Sequence, residues 1–126
     1  MQDIISKFKF KDNGIVINAP EVIGAALVKI GFKTAFEKKS KSANTLVFIN
    51  NNKEYTGFLK NDLKNIEPDS VLWFAYPKGT SKIKTDINRD TIRVTGETYG
   101  ITTVTAVSID DTWSALRFRP LDKVGK

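Results

Sequence analysis

The sequence predicts a three-layer α/β sandwich with a mainly parallel sheet and a carboxy-terminal antiparallel hairpin. The first observation is that short apolar runs rich in β-branched residues alternate with segments whose apolar residues recur at helical spacing. The second is that this alternation ends in two extended runs joined by a short polar turn. Alternating strands and helices are typical of a parallel sheet covered by helices on both faces, and the hairpin adds an antiparallel edge.

The first part of the chain predicts a βαβ unit. Residues 15–17 are a β-branched run of the kind found in strands buried on both faces, and Pro20 is a helix-start signal. The helix that follows ends at Gly31, which suits the left-handed position after a helix. Residues 32–36 are predicted to form the second strand. The apolar face of the helix comprises Val22, Ile23, Ala26, Leu27 and Ile30.

The middle of the chain predicts two further strands with a helix between them. Residues 45–49 are the third buried strand, which the asparagines at positions 50–52 stop. Residues 71–76 are the fourth strand. The intervening helix is predicted to end at residues 67–69, and its apolar residues are Tyr55, Phe58, Leu59, Leu63 and Ile66.

The last part of the chain predicts a third helix and the hairpin. Asn88 is the predicted N-cap, and Ile87 and Ile92 occupy the two positions of a hydrophobic staple. Gly96 lowers the helix propensity, so this helix is expected to be short. Residues 102–109 and 113–119 form the hairpin. In its second strand one face carries Trp113, Ala115, Arg117 and Arg119, and the other carries Leu116 and Phe118.

This order of elements resembles a shortened methyltransferase-type Rossmann fold, and 126 residues suit a single domain over residues 1–126. Three stretches carry a further likeness: INAPE at 17–21, LWFAYPKGTSKIKTDINRDTIR at 72–93 and VSIDDTWSALRFRP at 107–120. Together they resemble a widespread bacterial family of short Rossmann-like proteins classed as a domain of unknown function, similar to DUF3052. The resemblance implies the fold and leaves the function open, because that family has no established activity.

Composition excludes several kinds of chemistry. The chain has no cysteine and no histidine, which removes thiolate nucleophiles, Ser-His and Cys-His catalysis, and ordinary zinc sites. We therefore expect no catalytic residues, no metal and no cofactor. The formal net charge of +6 makes it a basic protein, but the basic residues are mostly lysine rather than the arginine typical of base-edge recognition. The polar amino terminus and the lack of a membrane-length apolar run indicate a cytoplasmic protein.

The loops after strands one, three and four are the predicted site. In open parallel sheets, ligands bind beyond the carboxyl ends of the strands, where residues 18–21, 50–53 and 77–86 converge. Their amides, hydroxyls and ammonium groups suit a small anionic or nucleotide-like ligand. The first loop lacks the glycines of a dinucleotide or S-adenosylmethionine site, and no Walker loop is present. The predicted ligand-binding residues are Asn18, Glu21, Lys78, Ser81, Lys82 and Thr85.

Structural and functional alternatives remain open at this point. Residues 18–21 equally suit a helix start, residues 85–88 suit a turn and cap, and Asp110 and Asp111 suit a solvated hairpin turn. Trp113 covers the end of the sheet or faces a partner, whereas Trp73 is predicted to lie in the core. The alternative functions are a protein-interaction module, with a partner or homodimer contact through the hairpin, and nucleic-acid binding through the basic surface.

Overall fold

The computed structural model describes residues 8–10, 14–37, 40–79 and 83–123, and these form an α/β fold around one sheet. The strands of the described chain are β1 (Ile15–Ile17), β2 (Ser42–Phe48), β3 (Ile66–Pro77), β4 (Ile101–Ser108) and β5 (Trp113–Pro120). The α-helices are α1 (Glu21–Lys29), α2 (Asn52–Asn61) and α3 (Arg89–Thr98). Two short 3-10 turns, Leu63–Asn65 and Leu121–Lys123, follow α2 and β5.

The sheet is mixed, with the strand order β1-β2-β3-β5-β4. β1, β2 and β3 are parallel, with Leu46 beside Trp73. The hairpin of β4 and β5 is antiparallel and joins through β5 to β3, where Phe74 lies opposite Leu116. The predicted hairpin is therefore confirmed. The expectation of a mainly parallel sheet is met only in part, because half of the neighbouring strand pairs are antiparallel.

The predicted second strand, residues 32–36, is wrong. Of this stretch only Lys33 pairs, through an isolated parallel bridge to Ile15 on the outer side of β1. The N–H of Val16 donates to the Lys33 carbonyl at 2.8 Å. The physical reason is that the two phenylalanines of the stretch bury in different places: Phe32 joins the core on one face of the sheet, and Phe36 packs on the core of the other. The chain bends between them and has only the three-residue β1 to pair with.

The predicted end of the second helix is also wrong. α2 ends at Asn61, where the N–H of Asp62 closes the last turn on the Phe58 carbonyl at 2.7 Å. Ile66, which was expected on the helix, begins β3 and pairs with Ser42. Ile66 is apolar and buried in either arrangement, so helical spacing alone did not reveal the change of backbone.

Two apolar cores lie on opposite faces of the sheet. On the first face, α1 packs Ile23 and Leu27 on Leu46 and Trp73, and we call this the α1 face. The Trp73 indole N–H donates to the Phe8 carbonyl at 2.9 Å, so Trp73 is a core residue as predicted. Trp113 is buried and packs edge-on against Phe48. Trp113 therefore covers the end of the sheet.

The other face, which we call the α2/α3 face, carries both remaining helices. Tyr55 and Phe58 of α2 pack on Phe74, and Ile92 of α3 is fully buried. The N-cap of α3 is Asn88 as predicted: its side chain accepts from the N–H of Thr91, and the Thr91 hydroxyl accepts in return from the N–H of Asn88. Helices on both faces of the sheet produce the three predicted layers.

Candidate functional site

The polar loops of interest meet at one end of the sheet, which we call the carboxyl edge. β1, β2 and β3 end there, and Asn18, Asn50 and Lys78 lie at or just after the three ends. The turn between β4 and β5 lies at the same edge, because Trp113 at the start of β5 pairs with Pro77 at the end of β3. The hairpin thus adds a fourth loop to the three that the sequence predicted.

A change of direction in the chain makes the gap between β1 and β2 a candidate crevice. After α1 the chain reaches Lys33 on the outer side of β1 and then returns to β2 on the inner side. The first helix accordingly covers the α1 face and the second covers the α2/α3 face. Ligands in open α/β sheets bind at such a reversal of strand order, beyond the carboxyl ends of the strands.

Asn18 connects the ends of β1 and β2. Its backbone has a φ of 60°, a left-handed conformation that asparagine tolerates better than most residues. Its side-chain amide donates to the Phe48 carbonyl and to Glu54 Oε1, both at 3.0 Å. The left-handed turn at Asn18 ends β1, and the hydrogen bonds of its side chain hold the loop after β1 against the loop after β2.

Hydrogen bonds from two loops of the carboxyl edge meet at Glu54, a residue that the sequence interpretation missed. Besides Asn18, its Oε1 accepts from the Asn50 N–H at 2.8 Å and from the Asn50 side-chain amide at 3.0 Å. Asn51 caps α2 by accepting from the Glu54 N–H at 2.9 Å. An asparagine followed three residues later by glutamate is a capping-box pattern. This spacing is a signal in the sequence from which Glu54 could have been identified.

The loop after β3 is attached to the same place. The Thr85 hydroxyl donates to the Asn50 carbonyl at 2.6 Å, and Asp86 Oδ1 accepts from the Asn52 N–H at 2.8 Å. The N–H of Ile87 donates to the Thr85 hydroxyl at 3.3 Å. Thr85 thus has the turn-forming role that the sequence offered as the alternative to ligand binding. Its hydroxyl ties the loop to the start of α2.

Lys78 lies at the hairpin side of the edge. Its N–H donates to the Thr112 carbonyl at 2.8 Å, and its ammonium donates to Ser108 Oγ at 2.6 Å. Asp110 Oδ1 accepts from the N–H groups of Thr112 and Trp113, each at 2.8 Å. Asp110 therefore stabilises the hairpin turn, as the structural interpretation of this residue expected. The strand β2 separates Lys78 from Asn18, since Lys78 follows β3.

The remaining predicted residues differ in position. Glu21 is exposed in the first turn of α1, a helix whose N-cap is Pro20 and which has no side-chain cap. Ser81 and Lys82 lie outside the described residues. The structure therefore brings Asn18 and Thr85 together around Asn50, and it places Lys78 with the hairpin and Glu21 at the start of α1.

A cleft of about 280 Å³ opens beside these contacts, at the ends of β1 and β2 on the α2/α3 face. Its polar lining residues are Asn18, Glu54 and Asp62. The sequence interpretation missed Asp62 as well, because its position after α2 carries no motif. The apolar lining consists of Ile17, Val47, Phe48, Ile49 and Phe58. A mostly apolar lining with a few polar residues is the usual composition of a small-molecule site.

Among the described residues, no group of three or more acidic, histidine or cysteine side chains is arranged to hold a metal ion. Likewise, no helix in the described ranges is long and apolar enough to cross a membrane. In comparisons with known proteins, no family model matches the chain and no curated protein matches it.

Proposed function

We propose that the chain is a cytoplasmic, Rossmann-like module that binds a small nucleotide-like ligand over the carboxyl edge. The cleft between the ends of β1 and β2 is the observation that carries this proposal. It lies where strand order reverses, with an apolar floor for a flat ring and polar groups on one side. The proposal includes membership of the bacterial family of short Rossmann-like proteins, which rests on the three motif stretches alone.

The acidic groups of the cleft favour a hydroxyl-bearing portion of the ligand. Carboxylates accept hydrogen bonds, and an acidic side chain at this place in Rossmann folds commonly accepts from ribose hydroxyls. Glu54 is held in position by its three hydrogen bonds, and Asp62, about 12 Å further along α2, also lines the cleft. Two carboxylates repel a phosphate ion, because all three groups carry negative charge. The cleft therefore favours a nucleoside portion, whereas the sequence alone suggested either a small anionic or a nucleotide-like ligand.

The start of α1 supports an anionic portion of the same ligand. The first N–H groups of a helix have no partner within the helix and carry a partial positive charge. In α2 and α3 asparagine side chains cap these groups, but in α1 no side chain does so. Asn18 and Glu21 lie next to this start in sequence, and Ser81 and Lys82 remain the predicted donors of the loop after β3. Lys78 donates to Ser108 on the hairpin side, so it serves only a ligand that extends across the end of β2. Glu21 repels an anionic group, so Glu21→Gln is expected to strengthen binding.

Calorimetry and thermal-shift measurements with adenosine, AMP, ATP, S-adenosylmethionine and inorganic phosphate test the proposal. We expect adenosine and AMP to raise the melting temperature, with AMP binding more tightly, and phosphate alone to have little effect. Asp62→Asn should weaken adenosine and AMP binding by roughly tenfold, the cost of about one hydrogen bond to a charged group. The matched control is Asp122→Asn, which makes the same change on the exposed turn after β5.

Two outcomes would contradict this function. If no nucleoside or nucleotide stabilises the protein, the cleft is not a nucleotide site. If Asp62→Asn and Asp122→Asn behave alike while ligand still binds, the ligand lies elsewhere.

The second candidate is the interaction module with a homodimer contact through the hairpin, which the open edge of β4 favours. Nucleic-acid binding has less support, because Arg93 and Arg119 of the four arginines already pair with Glu97 and Asp69. A gel shift that weakens steeply with salt would favour nucleic acid over both.

A further inference from the structure

β4 forms one edge of the sheet, and its outer side has no partner strand in the described part of the chain. The opposite edge, β1, is different. It is three residues long, and the bridge to Lys33 occupies its outer side. Short and covered edge strands are a common way in which proteins prevent pairing with other chains. Both of these features are present at β1, and β4 has neither.

The sequence of β4 also lacks the charged residues and the proline that commonly protect an edge. Its eight residues, ITTVTAVS, include no charged residue and no proline, and four of them are β-branched threonine or valine in the central stretch 102–105. Residues 104–106 are exposed in succession, and Val104 has 38% of its surface accessible. Edge strands normally carry lysine, proline or inward charges because unpaired N–H and C=O groups attract other strands. This edge has the composition of a paired strand.

We propose that two copies of the chain pair through β4, antiparallel and about a two-fold axis at Ala106, so that Ala106 meets Ala106 of the second copy and Thr105 meets Val107. The pairing joins two five-stranded sheets into one continuous sheet. It goes beyond the proposed ligand site, which lies at the carboxyl ends of β1 and β2 near the other side of the sheet, and it does not require ligand.

Self-complementarity identifies the second copy as the partner. In a two-fold interface each residue meets the partner's residue from the same patch, so an uncharged strand places no like charges opposite one another. The charged side chains of α3 beside β4 are already paired within each copy. Glu97 accepts from the Thr102 hydroxyl of β4 at 2.6 Å, and Arg93 pairs with Glu97 one turn away. Neither side chain therefore brings an unpaired charge to the contact.

The geometry also predicts a closed dimer rather than a fibre. Pairing covers the β4 edge of both copies. The edges of the joined sheet are then the two short β1 strands. A bulge between Thr103 and Thr105 interrupts the register of β4 with β5. Because bulges increase local twist, they limit how much of an edge can pair. The stretch 105–107 beyond the bulge, which is centred on the axis, is therefore the part that we assign to the contact.

Light scattering and sedimentation over a range of concentrations test the proposal first. We expect the wild-type chain to be a dimer. The double variant Thr105→Lys, Ala106→Lys places lysines against lysines across the axis, and should weaken dimerisation by on the order of tenfold or more. The control is Val22→Lys, which adds charge at an exposed valine of α1 on the far side of the sheet. Circular dichroism and melting of each variant show whether it is folded.

Cross-linking tests the contact without relying on a destabilised variant. The natural chain has no cysteine, so a single cysteine reports on one position only. Under mild oxidation Ala106→Cys should form a disulfide-linked dimer, since side chains directly opposite in antiparallel strands have Cβ atoms about 4.5–5.5 Å apart. Thr105→Cys, which lies opposite Val107 of the second copy, and Val22→Cys should remain largely unlinked. The proposal is overturned by a monomer at all concentrations, by a dimer that does not cross-link at Ala106, or by a folded lysine variant that dimerises like wild type.

Discussion

The packing of α3 on the sheet depends on the missing side chain of Gly96. A Cβ at this position would lie 2.7 Å from Phe118 Cε2, 2.9 Å from the Tyr55 hydroxyl oxygen and 3.3 Å from the Ile101 carbonyl oxygen. None of these neighbours can move easily. Phe118 and Tyr55 are fully buried and pack around Phe74, and the Tyr55 hydroxyl donates to the Ile92 carbonyl at 2.8 Å.

Two opposing effects determine the free energy of unfolding of Gly96→Ala. Alanine has a better helix propensity than glycine by about 1 kcal/mol, and this favours the variant. Overpacking a well-packed core typically costs about 1–3 kcal/mol, and contacts under 3 Å with two rings that cannot move place this site at the upper end of that range. The expected net result is a loss of about 1–2 kcal/mol, or about 4–8 °C in melting temperature.

Gly57→Ala is the matched control for this experiment. Gly57 lies inside α2, and a Cβ there would meet nothing within 4 Å. The control should therefore gain up to about 1 kcal/mol from helix propensity alone. Urea unfolding of both variants gives the two free energies, and their difference of about 2–3 kcal/mol isolates the packing term. If Gly96→Ala is as stable as Gly57→Ala, the close approach of α3 to the sheet is incorrect.

Two further predictions concern pH. Burial raises the pKa of the Tyr55 hydroxyl above its usual range. The stability that this group contributes is therefore fully present below the ordinary tyrosine pKa of about 10 and is lost as the pH rises through the folded-state value. Urea unfolding between about pH 8 and 11 should show this fall, and Tyr55→Phe should lessen it at a cost of about 1 kcal/mol for the lost hydrogen bond to the Ile92 carbonyl. An equal fall in the variant would show that another group is responsible. The second prediction concerns Asp69, whose carboxylate accepts from the Arg119 guanidinium at 2.8 and 3.1 Å; this hydrogen bonding holds the pKa of Asp69 below its usual range. The contribution of the pair is present above the ordinary aspartate pKa of about 3.9 and is lost as the pH falls through the lowered value. Carboxyl NMR titration should show the lowered pKa in the wild-type chain and a return to the ordinary range in Arg119→Gln, and an unchanged pKa in the variant would contradict the pairing.

The elements that were predicted correctly have local signals. The start of α3 follows from Asn88 and the two flanking isoleucines, because N-capping involves residues only a few positions apart. The hairpin was predicted from the two extended runs on either side of residues 110–112. Asp110 stabilises the turn by accepting hydrogen bonds from the N–H groups of Thr112 and Trp113. In each case the interacting groups are close in sequence, so the pattern of residues already contains the interaction.

The candidate site needed contacts that no local pattern contains. Asn18 and Glu54 meet across 36 positions of sequence, and Thr85 reaches Asn50 across 35. The carboxyl-edge loops were predicted because parallel strands end together, but which of their side chains touch depends on strand order and register. This is why Lys78, predicted beside Asn18, lies instead with the hairpin at Ser108.

The sequence by itself determined the α/β class, the N-cap of α3, the hairpin and the edge of the sheet at which the polar loops gather. The tertiary structure decided the mixed sheet, the reduction of the second strand to a bridge at Lys33, and the acidic cleft at Glu54 and Asp62. The physical reason is the distance along the chain over which each interaction acts. Caps, turns and periodicity are set by neighbours, whereas strand pairing and the composition of a cleft are set by residues that only folding brings together.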